Sequence, residues 1–150
     1  MGTTLPFDGL VQAVDRLVAE GTVTEPVLCQ IGHGQYVPQH CEHFRFRPNL
    51  EEQIARASLV IGHGGTGTVT GLLASGKPFI VVANPLGAHD HQRQFLARLC
   101  KVVEFLWTAD LAELPALIER ARSFVPRPAS GERLTADLKR YLLSGRGASA

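Results

Sequence analysis

The chain has 150 residues, 45% hydrophobic and 19% charged, with a formal net charge of +1. That length suits one domain with a buried core, and the composition is that of a globule, not of a disordered chain. The charge excludes the broad basic field of a nucleic-acid binder, so no nucleic-acid partner is expected. Cys29, Cys41 and Cys100 lie far apart without C-x-x-C spacing, which argues for reduced thiols in a cytoplasmic protein. No apolar run reaches the roughly 18 residues that span a bilayer.

Leu10, Val11, Val14, Leu17 and Val18 form a helix-period stripe that Gly21 stops. PVLCQIG (26–32) reads as a strand, and EHFRF (42–46) as a second with Phe44 and Phe46 on one face. Asn49 and Glu52 resemble a capping box opening a helix to Ala57. SLVIG (58–62) is a buried strand, followed by a glycine-rich loop. Val69, Leu72 and Leu73 mark the next helix, closed by Gly76 with Pro78 beyond. FIVVA (79–83) is a further buried strand, and Asp90 is placed to cap a helix carrying Phe95, Leu96 and Leu99. VVEF (102–105) is expected as an edge strand, and Thr108 with Pro115 as the opening of another helix. A proline-rich break at 126–128 precedes a last helix from Ser130 to Leu143, and residues 144–150 read as a disordered tail. Strands alternating with helices predict one α/β domain over 1–143, with an open, doubly wound, mostly parallel Rossmann-like sheet.

The stretch GHGGTGTVTGLLASGKP (62–78) overlaps two nucleotide-binding patterns. The Walker A reading of its second half fails, because GLLASGKP closes a helix and enters a strand, and Pro78 stands where Mg²⁺ needs a hydroxyl. Gly62-x-Gly64-x-x-Gly67 does link strand to helix, yet no acidic residue follows near Val82 or Ala83, which disfavours a nicotinamide site. The mechanism shared by both motifs survives. Backbone N–H groups of Gly65 to Thr68 would point out of a helix N-terminus at an anion, with Thr66 and Thr68 adding hydroxyls. His63, at the end of the strand, is the catalytic candidate, able to donate to a phosphate or sugar oxygen. Its plainer reading is a satisfied loop histidine. A second polar cluster, NPLGAHDHQRQ (84–94), follows the next strand at its carboxyl end, where open α/β sheets bind ligands. The H-x-H within it lacks a third positioned ligand, so no metal is expected.

These pieces in this order resemble the carboxyl-terminal, donor-binding half of GT-B glycosyltransferases of family 28. Within that family they are most similar to the free-standing small subunits of bipartite enzymes, of the Alg13 type and the bacterial exopolysaccharide PssE/EpsF type. The likeness rests on GTTLPFDGLVQAVD (2–15), FRFRPNLEEQIARASLVIGHGGTGTV (44–69), GKPFIVV (76–82) and DHQRQFLARL (90–99), and beyond Trp107 it falls to helix pattern. It implies that His63, Gly64, Gly65, Thr66, Gly67 and Thr68 hold the donor diphosphate, and that Gly2, Thr3 and Thr4 form a loop at the cleft. Asn84, Asp90, His91 and Gln92 would meet the donor sugar or ribose. The implied substrate is a UDP-sugar, with no cofactor, transferred to a lipid-linked acceptor held by a membrane-anchored partner. The chain would then be recruited from the cytoplasm to the inner face of the membrane, active only with that partner.

Two departures stand out. Many relatives carry a ribose-binding Glu where this chain has Gly71, four residues after Gly67. Relatives also begin with a hydrophobic strand before the Gly-Thr, whereas Met1 stands directly before Gly2, so the sheet is expected to lack its usual first strand. A non-catalytic nucleotide-binding or scaffold module is the alternative reading, and an NAD-dependent Rossmann enzyme a further one.

Overall fold

The computed structural model describes residues 5–86 and 90–124. Gly2, Thr3 and Thr4, the proline-rich break, the last helix and the tail lie outside the described residues. The elements follow as α1 (Asp8–Ala19), β1 (Leu28–Gln30), β2 (Glu42–Phe44), α2 (Glu51–Arg56), β3 (Val60–His63), α3 (Thr66–Ser75), β4 (Phe79–Val82), α4 (His91–Leu99), β5 (Leu106–Thr108) and α5 (Leu114–Ser123).

β4 shows why FIVV forms a central strand: all its side chains are buried, and period-2 geometry sends them to opposite faces. Ile80 and Val82 join one core with α1 and α5 through Leu10, Val14, Leu114 and Leu117. Phe79 and Val81 join another with α3 and α4 through Val69, Leu72, Leu96 and Leu99. Helices therefore cover both faces of a parallel sheet, the Rossmann-like arrangement. Burying each of these β4 side chains is worth about 1.5–3 kcal/mol. A carboxylate at Val81 would be buried unpaired and would break the layer.

β3 pairs in parallel with β4, Gly62 opposite Val81, and β4 with β5, Val81 opposite Trp107. β1 and β2 pair in parallel as a separate sheet. Among the described residues no strand precedes α1 and none joins the two sheets. They share one hydrophobic core nonetheless: Cys29 of β1 packs against the cluster that holds Ile80, Val82 and Leu106, with Val23 and Cys41 in the same cluster.

Several local expectations shift. Val102 and Val103 do not form a strand: both amides donate to the Leu99 carbonyl and extend the end of α4. The strand begins later, at Leu106, after Phe105 has stacked on Phe79 with ring centroids 6.0 Å apart. Thr108 ends that strand instead of opening a helix, and Asp110 caps the following 3₁₀ turn (Leu111–Glu113) by accepting from the Ala112 amide at 2.9 Å. Asn49 accepts from the Glu51 amide at 2.8 Å, but Leu50 occupies the N-cap of α2 and no reciprocal bond from Glu52 forms. β2 stops at Phe44, leaving Phe46 exposed. Gly76 ends α3 as expected, in the left-handed region at φ 67°.

Residues 32–41, following β1, are held by carboxylates of α1. Asp15, buried on the apolar face of the helix, accepts from the Tyr36 hydroxyl at 2.7 Å, the Gln39 amide at 3.0 Å and the His40 amide at 2.7 Å. Asp8 accepts from the Gln35 amide at 2.9 Å. Burial alone would raise the Asp15 pKa, but these donors outweigh it and hold the carboxyl well below the usual carboxylate range. Among the described residues no helix is long and apolar enough to cross a membrane.

Candidate functional site

β3 and β4 end side by side, and the Gly64 amide still donates to the Val82 carbonyl at 2.9 Å. The two polar loops therefore leave the sheet together at its carboxyl edge, where a parallel sheet meets its ligands. α3 starts at once, with Gly65 as N-cap in an extended conformation and no side-chain cap. The amides of Thr66, Gly67 and Thr68 have no acceptor among the described residues. They form the positive end of a ten-residue helix.

The Gly65 amide is not part of that set. It donates to His63 Nδ1 at 3.0 Å, and the other ring nitrogen, Nε2, lies 2.8 Å from Thr68 Oγ1. The imidazole folds back over its own loop, half-buried, and burial lowers its pKa.

The glycines also sort by contact. A Cβ on Gly62 would lie 2.9 Å from both Leu72 Cδ1 and Thr68 Cγ2, and one on Gly64 2.9 Å from Gln92 Oε1. A Cβ on Gly65 would sit on the His63 ring, whereas Gly67 has nothing within 4 Å. Three of these glycines thus let the loop pack against itself and α4, and Gly67 is the one that leaves its backbone open.

A cleft of about 280 Å³ lies between this loop and α4, lined by Gly64, Gly65, Thr66, His91, Gln92, Gln94, Phe95 and Arg98. Arg98 is exposed and has no ion pair among the described residues.

The sequence profile of the glycosyltransferase family 28 C-terminal domain matches residues 2–120. The chain belongs to that family. Its match runs past Trp107 into α5, further than the sequence pattern alone suggests. Among similar proteins, the human UDP-N-acetylglucosamine transferase subunit ALG13 is 34% identical over 112 residues, 67% of this chain and 10% of that one. The subunit of the same name from Eremothecium gossypii is 33% identical over 100 residues, 63% of this chain and 49% of its own. The UDP-N-acetylglucosamine--N-acetylmuramyl-(pentapeptide) pyrophosphoryl-undecaprenol N-acetylglucosamine transferase of Trichormus variabilis is 34% identical over 68 residues, 45% of this chain and 18% of its own. The chain thus spans a tenth of the human protein and about half of the fungal one.

In this family 28 domain the expected site residues fall into distinct positions. Gly64, Gly65, Thr66, His91 and Gln92 meet around one cleft. Thr68 stands behind them on α3, tied to His63. Asn84 is buried and its side chain bonds backbone, Nδ2 donating to the Pro6 carbonyl at 3.1 Å and Oδ1 accepting from the Leu86 N–H at 3.0 Å, while its own backbone N–H donates to Gln92 Oε1 at 2.8 Å. It knots the approach to α1, the exit of β4 and the start of α4, a different place from an open sugar contact. Asp90 is exposed at the N-cap of α4 with φ 61° and makes no capping bond. That left-handed backbone costs a non-glycine residue about 1–2 kcal/mol.

Gln94, Phe95 and Arg98 join the cleft too: Gln94 belongs to the polar cluster 84–94, whereas the sequence places Phe95 only on the apolar stripe of the helix and Arg98 on its solvated face, none of them as a donor contact. Their signal is periodic: 91, 94, 95 and 98 recur along one face of α4. Gly71, inside α3, has nothing near its Cα on the side where a Cβ would stand. Among the described residues no group of three His, Cys, Asp or Glu side chains is placed to hold a metal.

Proposed function

We propose that this chain is the donor-binding subunit of a two-chain glycosyltransferase, taking a UDP-sugar and transferring its hexose-type sugar to a lipid-linked acceptor presented by a membrane-associated partner. The observation that carries the reading is the open N-terminus of α3. The amides of Thr66, Gly67 and Thr68 have no acceptor among the described residues, and Thr66 lines a cleft that Arg98 lines from the other side. As the glycosidic bond breaks, negative charge grows on the leaving diphosphate. Pre-aligned N–H dipoles favour that state more than the bound substrate. His91 and Gln92, across the cleft, are the candidates for the sugar hydroxyls, with Asp90 beside them, and Gly2, Thr3 and Thr4 are further donor-binding candidates from the family resemblance. The base that deprotonates the acceptor belongs to the partner. N-acetylglucosamine is the first sugar to test, since the relatives' names carry it. The products fit lipid-linked glycan or exopolysaccharide synthesis at the inner face of the membrane.

Calorimetry of the full chain with its co-expressed partner, titrated with UDP, UDP-N-acetylglucosamine, UDP-glucose and NADH, tests the proposal. UDP compounds should bind, NADH should not, and Thr66→Ala/Thr68→Ala should weaken UDP about tenfold or more through lost bonds to a charged ligand. NADH binding in place of UDP refutes it. Gly71, at the position where relatives carry a ribose-binding acid, favours a second reading as a non-catalytic nucleotide-binding module. That reading gains if the pair binds UDP-sugar but transfers it to no lipid acceptor.

A further inference from the structure

We propose that His63 is a positioning residue, locked as the neutral Nε2-protonated tautomer, whose task is to turn the Thr68 hydroxyl hydrogen toward the donor's diphosphate. This rests on the diphosphate reading above and replaces the expectation that His63 itself reaches the substrate.

The argument begins at Nδ1. It accepts the Gly65 amide hydrogen at 3.0 Å, so it carries no proton. A neutral imidazole then holds its hydrogen on Nε2, and Thr68 Oγ1 lies 2.8 Å from that atom. Nε2–H therefore donates, and Thr68 Oγ1 accepts. The Thr68 side chain is fixed from its other branch too, since Cγ2 packs so close to the Gly62 Cα that a Cβ there would lie 2.9 Å away. With the rotamer set and one lone pair engaged by the ring, the hydroxyl hydrogen must point away from His63. Among the described residues Thr68 has no other hydrogen bond. Its hydrogen is thus left available to an acceptor at the N-terminus of α3, where Thr68 stands in the first turn.

Protonating the ring would undo this. It would set an Nδ1–H against the Gly65 N–H and place a cation, half-buried, at the positive end of α3. The lowered His63 pKa agrees with that geometry. A group so held has no proton to give as a general acid at neutral pH, and both its nitrogens are engaged by the loop. Thr68 is the group that would donate to the diphosphate. His63 acts through it.

The test pairs a spectroscopic readout with a rescue series on the full chain and partner. Nitrogen-15 spectra of the His63 side chain at pH 7, ligand-free, should show a pyridine-like Nδ1 and a pyrrole-like Nε2. The opposite tautomer or an imidazolium pattern overturns the proposal. In UDP titrations, Thr68→Val, which keeps the shape and loses the hydroxyl, should weaken binding about tenfold. His63→Ala should weaken it comparably, and the His63→Ala/Thr68→Val pair no further than Thr68→Val alone. His63→Gln, whose carboxamide N–H replaces Nε2–H, should recover most of the loss. Additive losses, or His63→Gln as damaging as His63→Ala in a protein that still melts cooperatively, overturn it. Absence of UDP binding by the wild-type pair overturns the functional reading and this inference with it. The ring tautomer would still report the geometry in that case.

Discussion

Gly65→Ala isolates the contact on which the loop turns. The backbone there, φ −69° and ψ 139°, suits alanine as well as glycine, so no backbone strain is introduced. The added methyl would lie 2.9 Å from His63 Nδ1 and closer still to Cε1, which forces the ring off the loop. Both of its hydrogen bonds are lost, to the Gly65 amide and to Thr68 Oγ1, each worth about 0.5–1.5 kcal/mol net. Alanine is a poorer N-cap than glycine by about 0.5 kcal/mol or more, but it also reduces unfolded-chain entropy by a similar amount. Those smaller terms nearly cancel, leaving a loss of about 1–3 kcal/mol. In a His63→Ala background the bonds are already absent and the methyl meets space, so the same substitution should cost close to nothing. The four proteins of this cycle, unfolded in urea and followed by circular dichroism, should show a coupling of about 1–3 kcal/mol. Equal costs of Gly65→Ala in the two backgrounds would refute the reasoning.

Gly71→Ala, inside α3 and facing open space, should raise stability by up to about 1 kcal/mol in the same urea assay without altering UDP affinity. Asp15→Asn should cost about 3–5 kcal/mol at neutral pH, since it opposes three donors with an amide in a buried site. Because the folded Asp15 pKa is depressed, its contribution is complete above about pH 4 and is lost as pH falls further, so the gap between wild type and variant should narrow in acid. Thiol labelling of the native chain at pH 7.5 should modify Cys100 first, and that fast phase should be absent from Cys100→Ser. Burial raises the Cys29 thiol and pushes Cys41 up to about 12, while Cys100 is exposed.

What the sequence disclosed follows from how local each cause is. FIVV announces a central strand because burial on both faces demands an unbroken apolar run, and Gly76 before Pro78 announces a helix end because backbone geometry demands it. The strand–glycine–helix order around Gly62 to Thr68 was legible for the same reason. Val102 and Val103 misled because strand propensity yielded to amides that the end of α4 captured first. Asn84 and His63 carry polar side chains whose partners lie in three-dimensional space, so a polar cluster on a loop looked like an open binding surface when part of it is internal bonding. Nothing local foretold that Asp8 and Asp15, on a helix otherwise striped for burial, would hold residues 32–41 from some 20 to 30 positions away.

The separation of β1–β2 from β3–β4–β5 bears on how the molecule opens. One ladder carries the glycine loop, and the other is tied to the rest through shared side chains and the carboxylates of α1, with no backbone bond between strands of the two sheets among the described residues. The smaller sheet can detach by giving up side-chain packing and the hydrogen bonds to Asp8 and Asp15, with no ladder broken, leaving the Gly64–Val82 bond and the α3 N-terminus intact. Hydrogen exchange should then resolve two cooperative units, the amides of β1 and β2 trading with solvent at a lower opening free energy than those of β4. The anion-facing loop would belong to the more durable unit, and a single shared exchange free energy across both sheets would show that packing and the α1 carboxylates couple them as tightly as a ladder.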